Sequence, residues 1–505
     1  MRKYTLEITA FIAGGVVMIL EIIGSRILAP FLGTSIYVWS SLIGIILASL
    51  SLGYWWGGKL ADKDPQYKTL SKLIFASAFF VGLTIVLKTP ILLLSSIYIT
   101  DVRIGSLIAV FLLFAPATAA LGAITPYIIK LKVKELTTTG ATTGNIFAIS
   151  TIGSIAGTLA TGFILISLLG STKILLSLLF VLLATSFLVY PKKPWRNRVF
   201  FLILAVLLSS SYLIIPSDIT DIIIEKDTRY SHVVIFDNID EKTGRPTRNL
   251  VTDAGGIQSK IFLDNEYEIP TTYINYFRLV KHFNPSLKRV LMLGGGAYSF
   301  ANTFLYENPD ATLDVVEIDG ELTNLAREHF GLKDSPRLTI YHDEARRFIN
   351  ATENKYDAVV VDVFFSLAIP HQLTTVEAIG ELDKLLTKDG VVILNLISSV
   401  NDDGGKFLRA EYHTYKEIFP QVYLLATKDP NDGEKFQNFI MVALKNNEEP
   451  KFKSINQDFN NYLANLWQRD IQNDMPILTD DFAPVEQYLI SNLKKLSSHY
   501  TFSDQ

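Results

Sequence analysis

Arg289-Val290-Leu291-Met292-Leu293 is a short apolar run that ends in Gly294-Gly295-Gly296, and Leu313-Asp314-Val315-Val316 is a second run that ends in Glu317-Ile318-Asp319. Short apolar runs bounded by turn residues read as strands buried in a parallel sheet. Glycines at the end of the first run let backbone approach a ligand closely where a helix begins. Glu317 lies 23 residues after Gly294, about where an acid meets ribose hydroxyls in a dinucleotide fold. The Gly-x-Gly-x-x-Gly pattern is incomplete, because Ser299 stands at its third glycine.

Outward from this pair, the pattern predicts strands at 288–294, 312–318, 337–342, 356–363 and 390–397. Helices are expected near 297–307, 320–330, 344–350, 373–386 and 405–419. Such alternation argues a parallel sheet covered by helices, with chemistry at the C-terminal strand ends. Two more strands, 421–427 and 436–444, follow without a full crossover, which suits an antiparallel strand closing the sheet. The remaining strand ends carry His342-Asp343-Glu344 and Asp362. Any one acid at a strand end can be a helix cap. Acids ending three successive strands after a glycine turn point instead to an adenosine pocket. Upstream, Arg229–Asp237 and Asn249–Asp253 read as strands of a small β-rich lead-in, with Gly255, Gly256 and Gln258 just beyond. Residues 448–505 read as a polar, helical tail.

The first 216 residues are different. They hold 17 basic and 6 acidic residues, a balance of +11, against −15 for the remainder. Seven stretches, near 8–29, 36–57, 71–94, 104–129, 145–169, 172–190 and 198–216, are long and apolar enough to cross a bilayer. Lysines and arginines gather in alternate connections, around Lys59–Lys72, Lys130–Lys134 and Lys192–Arg198, which places the N-terminus in the cytoplasm and the protein in the cell membrane as a multi-pass chain. Seven crossings would leave the acidic part outside. Span 1 carries Glu21 and Arg26, read either as part of a substrate or ion path or as structural pairing. Span 5 carries Gly153, Gly157 and Gly162, a close-packing pattern. Gly53–Lys63 resembles the loop between the second and third spans of major facilitator transporters, and is read as a loop tightening a helical hairpin. There is no cysteine, so no disulfide or thiolate chemistry. The composition does not suggest a nucleic-acid binder.

Residues 227–400 resemble the polyamine aminopropyltransferases, the spermidine and spermine synthases, and are most similar to their membrane-fused subgroup. The resemblance rests on Asp253-Ala254-Gly255-Gly256-Ile257-Gln258, the glycine strand, Val316-Glu317-Ile318-Asp319, Asp343, Tyr356–Asp362 and Ile369-Pro370-His371-Gln372-Leu373-Thr374-Thr375. It implies a class I S-adenosylmethionine-type Rossmann-like α/β domain (287–447) behind a small N-terminal β subdomain (217–286) and a multi-span α-helical membrane domain (1–216). It implies that Gln258, Gly294, Gly295, Gly296 and Glu317 bind the methylthioadenosine part of the donor and that Asp343 with Glu344 holds the adenine end. Asp362 would be the proton acceptor. The co-substrate would be decarboxylated S-adenosylmethionine, with no tightly bound cofactor and no metal, and the acceptor a diamine such as putrescine. A homodimer is left open. The sequence departs from the family at Ala297 and Phe365, where acids are expected, and at Tyr273-Ile274-Asn275, where Tyr-His-Glu is expected. Phe364 and Phe365 would suit an apolar or aromatic group. Three functions stay open: a membrane-tethered aminopropyltransferase, a non-catalytic polyamine- or nucleoside-binding transport or sensing protein, and another S-adenosylmethionine-dependent transferase.

Overall fold

A computed structural model of the chain describes residues 4–99, 101–133, 135–191, 222–253, 256–363 and 369–491. The chain divides into two compact units, Met1–Thr220 and Asp221–Gln505.

The first unit is a helical bundle of α1 (Thr5–Leu32), α2 (Ile36–Lys63), α3 (Tyr67–Tyr98), α4 (Val102–Lys132), α5 (Thr139–Ala160) and α6 (Ser171–Val189). Six helices among the described residues are long and apolar enough to cross a membrane. The seventh expected span, 198–216, lies outside the described residues. Helix α3 runs unbroken through Pro90. Helix α5 continues through a π-turn at Thr161–Leu165, so the expected span at 145–169 is one helical run. Glycines set the closest helix contact. A Cβ on Gly153 would lie 2.0 Å from the carbonyl oxygen of Phe11, so α1 and α5 touch backbone to backbone. Ser154 Oγ donates to the Gly14 carbonyl at 3.2 Å across the same seam. Gly162 takes no part, since open space surrounds it.

The expectation of a loop at Gly53–Lys63 is corrected: these residues are the last turns of α2. Gly53 and Gly57 sit one turn apart and admit α4 at Ala119 and Ala123. The motif therefore tightens a helix pair through its helical glycines. Ion pairs Lys130–Asp62 at 2.7 Å and Lys132–Glu7 bring the start of α1 and the ends of α2 and α4 to one end of the bundle. That end also carries Lys59, Lys63 and Lys68, so the first two basic connections share one side; the third, Lys192–Arg198, lies outside the described residues.

The second unit holds two sheets. The first is an antiparallel meander of β1 (Ile222–Asp227), β2 (His232–Ile239), β3 (Pro246–Thr252) and β4 (Ile257–Phe262). Its buried face, including Val233, Ile235, Leu250 and Ile261, packs on Leu322, Leu325 and Phe330. The second is seven-stranded: β5 (Arg289–Leu293), β6 (Thr312–Val316), β7 (Leu338–Tyr341), β8 (Tyr356–Val361), β9 (Leu386–Ser398), β10 (Gln421–Ala426) and β11 (Gln437–Leu444), in the order β10-β11-β9-β8-β5-β6-β7. Strands β5 to β9 pair in parallel. Helices α7 (Ser299–Glu307), α8 (Gly320–His329), α9 (Ala345–Ala351), α10 (Val376–Leu385) and α11 (Lys406–Ile418) supply the connections.

Strand order reverses between β5 and β8, and a crevice at such a switch point is where doubly wound sheets take ligands. The antiparallel strand does not close the sheet as the spacing suggests. Strand β11 inserts between β9 and β10, antiparallel to both. Its almost wholly buried residues fit an interior position better than an edge. The tail also differs from expectation. It holds the helix Gln457–Leu463 and a helical segment over 485–491, but 468–484 is irregular, and 492–505 lie outside the described residues. Trp467, Leu478, Val485 and Leu489 bury it against the sheet's hydrophobic core, so packing rather than helix formation fixes the tail.

His232 opens β2 between two acids, with Nδ1 2.7 Å from Asp227 and Nε2 3.4 Å from Glu225. Burial opposes its charged form, but the two carboxylates outweigh burial and push it up to about 9. A cation with a raised folded pKa stabilises fully below its unfolded value, near 6.5, and that stabilisation fades as pH rises through about 9. His232→Gln should therefore lower the melting temperature of the second unit most below pH 6.5, with the deficit shrinking towards pH 10. A pH-independent deficit would contradict this.

Candidate active site

The site is built on the turn after β5. Gly294 has φ +87°, and a Cβ there would stand 2.4 Å from the carbonyl oxygen of Asp362. The turn thus lies directly against the end of β8. Glu317, at the end of β6, reaches under it. Its Oε2 accepts from the Gly295 and Gly296 amides at 2.8 and 3.3 Å, and its Oε1 accepts from the Asp319 amide at 2.9 Å. Burial pushes the Glu317 carboxyl up, and these three N–H donors oppose that shift. A carboxylate has about four acceptor positions, so one on Oε1 remains for a ligand hydroxyl. The protein's own backbone takes the other three positions. Asp319 caps α8 through the Glu321 amide and accepts from Thr228 Oγ1 at 2.5 Å.

Asp362 follows β8 and is partly buried. Tyr273, from the short helix Thr272–Tyr276, donates its hydroxyl to Gln258 O at 3.2 Å and to Asp362 Oδ2 at 3.4 Å. Burial pushes Asp362 up to about 7, against the lowering effect of hydrogen bonds from Tyr273 and Asn395. A carboxylate poised near neutrality can take a proton from an amine and release it again. Gln258, on β4, sits beside this pair, and its Nε2 is a buried donor with no partner among the described residues. An unsatisfied buried amide is costly, so a ligand acceptor fits there.

The other expected residues are placed less centrally. Asp343 pairs with Arg347, which holds its carboxyl below the usual range. Glu344 caps α9 through the Arg347 amide at 2.8 Å and takes Gln372 Nε2 at 3.3 Å. Both stand at the end of β7, two strands from β5 in the sheet.

Residues 275–454 match the spermine/spermidine synthase domain. Similar proteins include a polyamine aminopropyltransferase from Vibrio vulnificus, 31% identical over 31% of this chain and 54% of that protein. A probable polyamine aminopropyl transferase from Bifidobacterium longum is 26% identical over 39% of this chain and 48% of that protein. The chain thus spans about half the length of the curated relatives it matches. Among solved structures, a probable spermidine synthase from Corynebacterium glutamicum is similar, at 26% identity over 46% of this chain and 82% of that one, with a TM-score of 0.39.

Within the matched residues, Ala297 is fully buried among Val233, Ile235, Leu250 and Leu322. Position 297 therefore contributes packing beside the glycine turn and no charge. Phe364 and Phe365 lie outside the described residues. Reading by residue type alone missed Asn395, Asn438 and the role of the Tyr273 hydroxyl. Asn395 is a polar residue inside the otherwise apolar run of β9, at 3% exposure; that break in pattern was the available signal. Asn438 gave none, since it opens a strand where polar residues are ordinary.

Proposed function

We propose that the second unit transfers an aminopropyl group from decarboxylated S-adenosylmethionine to an amine, and that the helices of the first unit hold the protein in a bilayer. The acceptor is a diamine such as putrescine, giving spermidine and methylthioadenosine. In the step, the amine nitrogen attacks the propyl carbon bound to the sulfonium. A C–N bond forms, the C–S bond breaks, and its electron pair neutralises sulfur on methylthioadenosine. Asp362 accepts the proton the amine must lose. Gln258 Nε2 and the free position on Glu317 hold the nucleoside, and the glycine turn keeps it against Asp362.

The observation that carries this reading is the near-neutral Asp362, held between Tyr273 and Asn395 where the glycine turn abuts β8. The lengths and composition of the six helices support the membrane part. A second reading, ligand binding without turnover, is favoured by one observation: Ala297 brings no charge to the turn. Purified protein incubated with decarboxylated S-adenosylmethionine and a series of amines should release methylthioadenosine only when an amine is present. Tight methylthioadenosine binding with no release on any amine would replace the first reading with the second.

A further inference from the structure

Asn395 and Asn438 lie diagonally across the β9–β11 ladder, where Asn395 pairs with Ile440 and Asn438 with Ile397. Diagonal neighbours on one face are within reach of each other. Asn438 Nδ2 donates to Asn395 Oδ1 at 2.9 Å. An amide side chain has one acceptor end and one donor end. With its oxygen engaged by Asn438, Asn395 has only its NH2 to offer; the register that pairs Val361 with Leu394 sets Asn395 beside Asp362 on the neighbouring strand, and Asn395 lowers the Asp362 carboxyl against burial. Asn438 is itself fixed at the start of β11. Its carbonyl accepts from Thr427 N and Oγ1, both at 3.0 Å, and the adjacent Gln437 holds the Lys428 and Asp429 amides at 2.8 and 2.9 Å.

We propose that Asn438 is a positioning residue for the transfer: it fixes which way the Asn395 amide faces and so keeps a donor, not an acceptor, against Asp362. The chain of polarity runs Asn438 to Asn395 to Asp362, with Tyr273 donating from the other side. It deepens the aminopropyl-transfer reading and rests on that reading for its catalytic meaning.

Asn438→Asp tests the polarity with little change in shape. The ionised carboxylate that this variant places on β11 cannot donate, so Asn395 re-pairs only by turning its NH2 towards that carboxylate. The Asn395 oxygen then faces Asp362, and a carbonyl beside a carboxyl favours the protonated form. Asn438→Leu removes the donor without reversing the polarity. Asp362 ionisation is followed in the full chain by infrared titration of its carboxyl band, assigned with Asp362→Asn, and separately by the pH dependence of methylthioadenosine release. The expected order of inflections is Asn438→Asp highest, by about one pH unit or more, then Asn438→Leu, then the unchanged protein. An Asn438→Leu inflection equal to the unchanged protein's overturns the proposal. So does an equal shift in both variants, which would mean packing alone. If Asn438→Asp fails to fold, the Asn438→Leu comparison still decides. Absence of methylthioadenosine release from the unchanged protein at every pH would sink the transfer reading, and the infrared inflections would still report on Asn438.

Discussion

Asp362→Asn should lower methylthioadenosine release by about 10²–10⁴-fold, the range by which a positioned proton acceptor usually contributes, while methylthioadenosine binding changes little. Asparagine keeps the shape and can still accept from Tyr273, so the nucleoside contacts at Glu317 and Gln258 are untouched. The loss falls on the proton. In the unchanged protein the rate should rise with pH through an inflection near 7, where burial places the Asp362 carboxyl, because only its ionised form accepts. The variant should lack that inflection. A second consequence separates function from folding. An acid whose folded pKa lies above its unfolded value, near 3.8, weakens the fold as pH rises above that value. The cost grows until about pH 7 and then levels off. Asp362→Asn should therefore melt higher than the unchanged protein at pH 8, with the gap closing towards pH 4. A variant that keeps more than half the activity would remove Asp362 from the mechanism. One that is inactive and also melts lower would point to damage of the fold.

Legibility in the sequence followed the physics of each signal. Strands β5, β6, β8 and β9 were visible because burial on both faces makes them continuous apolar runs, and every core helix between them fell within a few residues of its predicted place. The order of β10 and β11 was not visible. Spacing shows that no crossover joins them, but nothing local says that the second strand slides inside the first; only the pairing of Ile393 with Val442 and of Leu424 with Met441 does. The tail misled because polar composition resembles an exposed helix, while its few large residues, Trp467 and Leu478, are anchors at irregular spacing. At the site, the acids could be read from their positions at strand ends. What each carboxylate does could not. Glu317 looks like a free ribose ligand until its three backbone donors are seen. Asn395 and Asn438 come from strands that meet only in the folded sheet.

Glu317→Gln follows from that backbone engagement and should weaken methylthioadenosine binding by about 10–100-fold, the cost of one to two buried hydrogen bonds of this kind. Glutamine supplies one oxygen and one NH2. If the oxygen stays under the glycine turn, the NH2 faces the Asp319 N–H, so two donors meet and the one open acceptor position for a ribose hydroxyl disappears. If the amide turns over, the Gly295 and Gly296 N–H groups lose their acceptor. The turn then loosens where Gly294 leaves no space against the Asp362 carbonyl. Either arrangement costs affinity, and the second also disturbs Asp362. Calorimetric titration with methylthioadenosine, read beside the pH profile of the residual transfer rate, distinguishes them: loss of affinity with an unchanged pH inflection indicates the first, and loss with a moved inflection indicates the second. Because the carboxylate is replaced and not merely displaced, raising the pH should restore neither. Unchanged affinity in Glu317→Gln would mean that the nucleoside does not lie on the glycine turn, and the pocket would have to be sought at another strand end.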